Sequence, residues 1–209
     1  METMSDVTTP PRARRWPLVL LAAVLALATG FALAQFWPSH PGDDSPEAGF
    51  ARDMSSHHAQ AVEIAMLAYD RATTPDLKNL GYDIALTQEA QIGTMSAWLI
   101  DWDLLPTGSR PRMAWMPDGS GLLVNGLMPG MATPAELTEL RAATGPAFDI
   151  LVCQLMLRHH LGGIHMVDGI LKATDDPEVT RLATAMKAGQ QKEIVTLREI
   201  LTTLGAKPL

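Results

Sequence analysis

Three observations predict an all-α protein, a four-helix bundle built from two repeated helical hairpins and preceded by one N-terminal apolar helix. Residues 18–34 are an unbroken apolar run behind a cluster of arginines. From residue 46 onward, apolar residues recur at three- and four-residue spacing, the period of a helix that buries one stripe. This second region also repeats itself at an offset of 102 residues without a gap. Composition agrees, since aromatics are only 5% while Ala, Leu and Met are plentiful, which favours helices over a β-sandwich.

The N-terminal element comes first. Arg12, Arg14 and Arg15 precede LVLLAAVLALATGFALA, and no Asp, Glu, Lys or Arg occurs between Arg15 and Asp43. Positive charge on the N-terminal side of an apolar segment predicts residues 1–15 in the cytoplasm and 38–209 outside it. Two fates are open for this segment. The run from Trp16 to Trp37 has the length of a single-pass anchor in the cell membrane. Alternatively, Ala32-Leu33-Ala34 reads as the cleavage site of a signal peptide, which would leave a secreted or periplasmic protein. Residues 38–45, PSHPGDDS, lack periodicity and read as a linker.

The duplicated region spans 46–204, with repeats 46–102 and 145–204 and a connection over 103–144. Met54, His57 and His58 correspond to Met156, His159 and His160, and Thr74-Pro75-Asp76 to Asp176-Pro177-Glu178. Leu80, Gln88, Ile92 and Leu99 correspond to Leu182, Gln190, Ile194 and Leu201. Each half reads as a helix–turn–helix. The first helix covers about 46–70, and Thr74-Pro75 opens the second with proline in its first turn. The second helix buries Leu77, Leu80, Ile84, Gln88, Ile92, Met95, Leu99 and Trp102. In the second half one helix begins at Gly145-Pro146 and another at Asp176-Pro177. This last helix buries Val179, Leu182, Met186, Gln190, Ile194, Leu197, Leu201 and Leu204, and Gly205 stops it. Two hairpins with one apolar stripe each must cover one another, hence the bundle. Residues 103–133 hold four Pro and five Gly, so they predict turns and no long element. Thr133-Pro134 starts a short helix.

Charge and cysteine content exclude several functions. The net charge is −7, which disfavours a phosphate-tracking nucleic-acid binder. Cys153 is the single cysteine, so an intrachain disulfide and a CxxC site are both excluded. No nucleophile elbow or phosphate-binding glycine loop occurs.

The histidines carry the chemistry. At about 100° per residue, Met54, His57, His58, Ala61 and Ile64 share one helix face, and Met156, His159, His160, Gly163 and Met166 repeat it. His165 falls on the opposite face and is left out of the site. Buried imidazoles need hydrogen-bond partners or a metal, and two in-register pairs exceed what a packed core requires. Thioether with imidazole suits copper, Cu(I) in particular. A di-iron bundle would show Glu-x-x-His, and none is present. Gln88, Gln190 and Glu193, beside or within the apolar stripes, are candidates to orient the imidazoles from outside the ligand set. Met128 and Met131, in LMPGMA, are candidates to close over the site. Met95 and Cys153 read as core.

FARDMSSHHAQAVEIA and LVCQLMLRHHLGGIHM, each followed by a helix of the form Q-x-x-[EQ]-I-x-x-[ML], resemble the domain-of-unknown-function 305 family. The segment LMPGMATPAELTELRAATGPAFD matches that family's pattern too, so the resemblance covers about residues 46–204. It implies a ferritin-like four-helix bundle, usually exported, in a family associated with copper. The implied ligands are Met54, His57, His58, Met156, His159 and His160, with Met128 and Met131 in addition. Two positions depart from the pattern: Ile64 stands where a Met follows the first His pair, and Gln91 where the first Q-x-x-E has Glu. The second half-site, with Met166 and Glu193, is therefore expected to be the stronger. The expected function is extracytoplasmic copper binding in metal handling or tolerance, without catalysis. A metal-dependent redox enzyme and a metal-free envelope interaction domain are the alternatives. No organic cofactor is expected, and the sequence names no protein partner.

Overall fold

The computed structural model describes residues 16–35 and 40–208. The chain divides into two units, residues 1–40 and 41–209.

The first unit holds α1 (Trp16–Gln35), which coincides with the apolar run and contains no charged residue. Its described side chains are all exposed. Among the described residues, no helix is long and apolar enough to cross a membrane. The expected membrane-spanning anchor is therefore not supported. Arg12, Arg14 and Arg15, with the cytoplasmic segment 1–15, lie outside the described residues, as do residues 36–39.

The second unit comprises α2 (Pro46–Arg71), α3 (Pro75–Asp101), α4 (Pro134–Ala142), α5 (Gly145–Ala173) and α6 (Pro177–Thr203). The helix starts follow the sequence signals. Proline occupies the first turn of each, where its missing N–H costs nothing. The Ser45 hydroxyl accepts from the Ala48 amide at 3.1 Å, and Asp176 accepts from the Glu178 and Val179 amides at 2.9 Å each. Thr133 and Glu136 form a reciprocal capping box. The connection holds a 3-10 turn, Gly119–Leu122, and an isolated bridge between Val124 and Leu127 before α4.

The start of α3 is capped differently. Thr74 makes no cap of its own. Instead the amides and hydroxyls of Thr73 and Thr74 converge on Asp149 of α5, at 2.6–3.2 Å. The 102-residue mate of Asp149 is Glu47, and Glu47 accepts from the Thr174 hydroxyl before α6. Each hairpin turn is thus tied down by a carboxylate at the base of the other hairpin.

Packing follows the predicted stripes. α2 lies along α3 and α5 along α6, and the hairpins meet mainly through α2 against α5. Leu77, Ile84, Gln88, Met95 and Leu99 are buried on α3, and Val179, Met186, Gln190, Ile194, Leu197 and Leu201 on α6. Leu80, Ile92, Trp102, Leu182 and Leu204 are only half-buried at the stripe edges. Two hydrophobic clusters result. One joins residues 61–68 of α2 to 148–157 of α5, and the other joins 48–54 to 166–170, so the two helices run antiparallel. The buried polar residues His57, His58, Gln88, His159, His160 and Gln190 lie on the four helices between these two sets.

Candidate metal centre

The Leu127–Ala132 segment is held across α2 and α5. The Gln60 amide pairs with both backbone groups of Ala132, at 3.0 and 2.6 Å. On α5, a Cβ at Gly162 would lie 1.9 Å from the Pro129 carbonyl oxygen, so only glycine admits this approach. Beneath the segment, α2 and α5 bring their histidines together. The His57 and His159 rings stack with centroids 3.8 Å apart, inclined by 36°. All four imidazoles are at most 1% exposed.

Every Nε2 faces an oxygen. His57 Nε2 lies 3.0 Å from the Pro129 carbonyl, and His159 Nε2 lies 3.1 Å from the His57 carbonyl. His58 Nε2 is 2.7 Å from Gln91 Oε1, and His160 Nε2 is 2.5 Å from Glu193 Oε2. Carbonyl, amide and carboxylate oxygens accept, so each ring carries a hydrogen on Nε2, and in a neutral ring the lone pair then lies on Nδ1. The Nδ1 atoms of His57, His58 and His160 are buried and have no partner. Burial holds His57 in its neutral form, with its pKa lowered to about 4. It does the same to His58, lowered to about 3, and to His159, lowered well below the ordinary value. A neutral imidazole whose N–H is fixed by an oxygen, and whose other nitrogen is free, is the form that metals bind.

Glu193 Oε2 is the hydrogen-bond partner of His160. Gln88 and Gln190 do not orient imidazoles, which corrects the expectation that they would. Both amide atoms of Gln88 are unpartnered, as is Gln190 Oε1, and the Gln190 side chain packs over Gly163. Gln91 serves His58 instead. The signal was available, because Gln91 is the repeat mate of Glu193 in the Q-x-x-[EQ] pattern. His165 is exposed, in keeping with its exclusion. Cys153 is buried, with its thiol pushed up to about 12 chiefly by burial, and is inert.

The fold groups the methionines differently from the sequence. Met54 and Met166 share one hydrophobic cluster, with Met128 buried and Met131 half-buried against it. Met156 belongs to the other cluster. Met166 therefore does not complete a half-site with Met156. The antiparallel crossing carries it to the end of the molecule that holds Met54.

Among the described residues, no three His, Cys, Asp or Glu side chains are grouped to hold a metal ion. The imidazoles supply free lone pairs without completing a coordination shell, and the buried thioethers are the other donors at hand. Neutral imidazole with thioether fits a soft metal such as copper and does not fit magnesium or calcium, which want oxygen.

Comparison with known proteins follows the same lines. A family model described as "Domain of unknown function (DUF305)" matches residues 47–201. A Streptomyces coelicolor structure described as "putative secreted protein DUF305" is 41% identical, with TM-score 0.73, over 80% of this chain and 99% of its own. A DUF305 fragment from Deinococcus radiodurans is 30% identical, with TM-score 0.64, over 80% and 99%. CopM in its Cu(II)-bound form is 26% identical, with TM-score 0.59, over 76% and 97%. No curated protein sequence matches the chain.

Proposed function

The chain belongs to the DUF305 family, and we propose that it binds copper outside the cytoplasm, in metal handling or tolerance. The observation that carries this reading is the set of buried imidazoles, those of His57, His58 and His160, whose Nδ1 atoms have no partner. Leaving such groups empty costs free energy that a bound metal recovers. The donors are His57, His58, His159 and His160 with thioethers from Met54, Met166, Met128 and Met131. Glu193 and Gln91 hold their imidazoles. The copper-bound state of CopM supports the choice of metal, and the donor chemistry supports it independently. Four long helices paired as two hairpins are read as one four-helix bundle of the ferritin-like kind. Export rests on the arginines before the apolar run and on the secreted description of the Streptomyces coelicolor relative.

Equilibrium dialysis of micromolar protein against copper, with zinc and iron as controls, tests the reading. Stoichiometric copper with little zinc or iron is expected. No stoichiometric copper would overturn it. A C-terminal reporter fusion active only in the cytoplasm would overturn the location.

A further inference from the structure

The 102-residue repeat gives every residue near the histidines a mate, so the two ends of the centre can be compared position by position. On one side, Met54 of α2, Met95 of α3, Met166 of α5 and Met186 of α6 share a hydrophobic cluster, one from each long helix. Each is at most 1% exposed. Their respective mates are Met156, Leu197, Ile64 and Ile84. The first, third and fourth of these are fully buried like Leu197, and all four sit together in the opposite cluster. The same fold, at symmetry-related places, thus packs four thioethers at one end and one thioether with three aliphatic side chains at the other. Packing alone does not demand methionine here, because Leu and Ile fill the equivalent positions. Met128 and half-buried Met131 also belong to the thioether end.

A second observation points to a ligand. His57 and His58 follow Met54 by three and four residues on one face of α2, and their buried Nδ1 atoms are unpartnered. No triad of His, Cys, Asp or Glu is available among the described residues to hold a borderline metal, whereas thioethers are donors that soft monovalent cations accept. We propose that the two ends of the histidine centre are not equivalent: one soft monovalent cation, Cu(I) or Ag(I), is held at the Met54, Met95, Met166 and Met186 end, and the mate end, with Met156, Ile64, Ile84 and Leu197, holds none. Met95 and Met186, which packing alone would assign to the core, are thereby ligand residues. The proposal rests on the copper-binding reading and refines it to one oxidation state, one end and one ion per chain.

The test is Ag(I) loading of the full chain, read as ions bound per chain by native mass spectrometry and as affinity by competition with a chromogenic chelator. The parent is expected to hold one ion. Met95→Leu with Met186→Leu, which copies the aliphatic character of the mate end, is expected to weaken binding by more than about tenfold, the scale of losing even an outer-sphere partner, with an unchanged thermal melt. The reverse variant, Ile64→Met with Ile84→Met and Leu197→Met, is expected to hold two ions. A parent that binds two ions, or a Met95/Met186 variant that binds like the parent, overturns the proposal while leaving copper binding standing. A reverse variant that folds and still binds one ion does the same. A parent that binds neither Ag(I) nor Cu(I) overturns the copper reading as well.

Discussion

In the first hairpin His58 donates to an amide oxygen, Gln91 Oε1, at 2.7 Å; in the second, His160 donates to a carboxylate oxygen, Glu193 Oε2, at 2.5 Å. The two bonds occupy the same place in the repeat, each spanning 33 residues. The duplication has kept the imidazoles and their orientation while the groups behind them diverged. The difference is chemical. A carboxylate behind an imidazole raises its basicity and strengthens it as a donor, and an amide does so far less. Flanking residues diverged likewise, Met166 against Ile64 and Gly163 against Ala61. Twofold geometry therefore does not imply twofold function.

The largest expected contrast is in stability. His160→Ala strands the Glu193 carboxylate, whose side chain is 17% exposed, whereas His58→Ala strands a neutral amide. Denaturant melts of the apo-protein should show a loss of about 3 kcal/mol for His160→Ala and about 1 kcal/mol for His58→Ala. Equal losses would mean that the two outer partners are energetically alike.

Neighbouring glycines sharpen the same contrast. Gly162→Ala drives a methyl into the Pro129 backbone, while Gly163→Ala meets only the end of the Gln190 side chain, and the first repeat already carries Ala61 there. Gly162→Ala should cost about 2 kcal/mol, within the range for overpacking, and Gly163→Ala under about 0.5 kcal/mol. The reverse order would show that the Leu127–Ala132 segment does not lie against α5.

Acid should weaken the apo-fold. Burial lowers His57 from 6.5 to about 4 and His58 from 6.5 to about 3. The unfolded chain then binds more protons, so stability rises with pH. The contribution is present in full above pH 6.5 and is lost as pH falls toward 4 for His57 and 3 for His58. The slope within that window is about 1.4 kcal/mol per pH unit for each group. Thermal melts at pH 7 and pH 5 measure it, and the variant lacking both His57 and His58 should have a shallower dependence. An unchanged slope would show that these imidazoles do not titrate on unfolding.

The smallest expected effect exchanges the outer partners. Glu193→Gln should lower copper affinity by about tenfold, and Gln91→Glu should raise it by a similar factor. Chelator competition reads both. Opposite signs would break the link between the carboxylate and donor strength.

Much of this fold was legible before the structure. The helices headed by Pro75, Pro134 and Pro177 start where Thr74-Pro75, Thr133-Pro134 and Asp176-Pro177 place them, because proline in a first turn is a local signal. The histidines share a face for the same reason, since helix periodicity is also local. What escaped depends on how the hairpins dock. The caps from Asp149 and Glu47 cross between hairpins, and nothing near Thr73 or Thr174 in the chain announces them. Gln88 looked like the partner of an imidazole because it interrupts an apolar stripe. Within the first hairpin Gln91, not Gln88, bonds His58. Met166 looked like a member of the second half-site, and antiparallel packing placed it with Met54.

The central claim, that buried imidazole Nδ1 atoms are the donors of a metal centre, is tested most directly by long-range 1H–15N NMR of the histidine side chains. In the apo-protein at pH 7 the rings of His57, His58 and His159 are expected to be neutral and protonated at Nε2. One equivalent of Ag(I), the diamagnetic stand-in for Cu(I), is expected to move Nδ1 resonances and leave Nε2 protonated. Rings protonated at Nδ1 in the apo-protein, or Nδ1 resonances that stay in place while Ag(I) is bound, would contradict it.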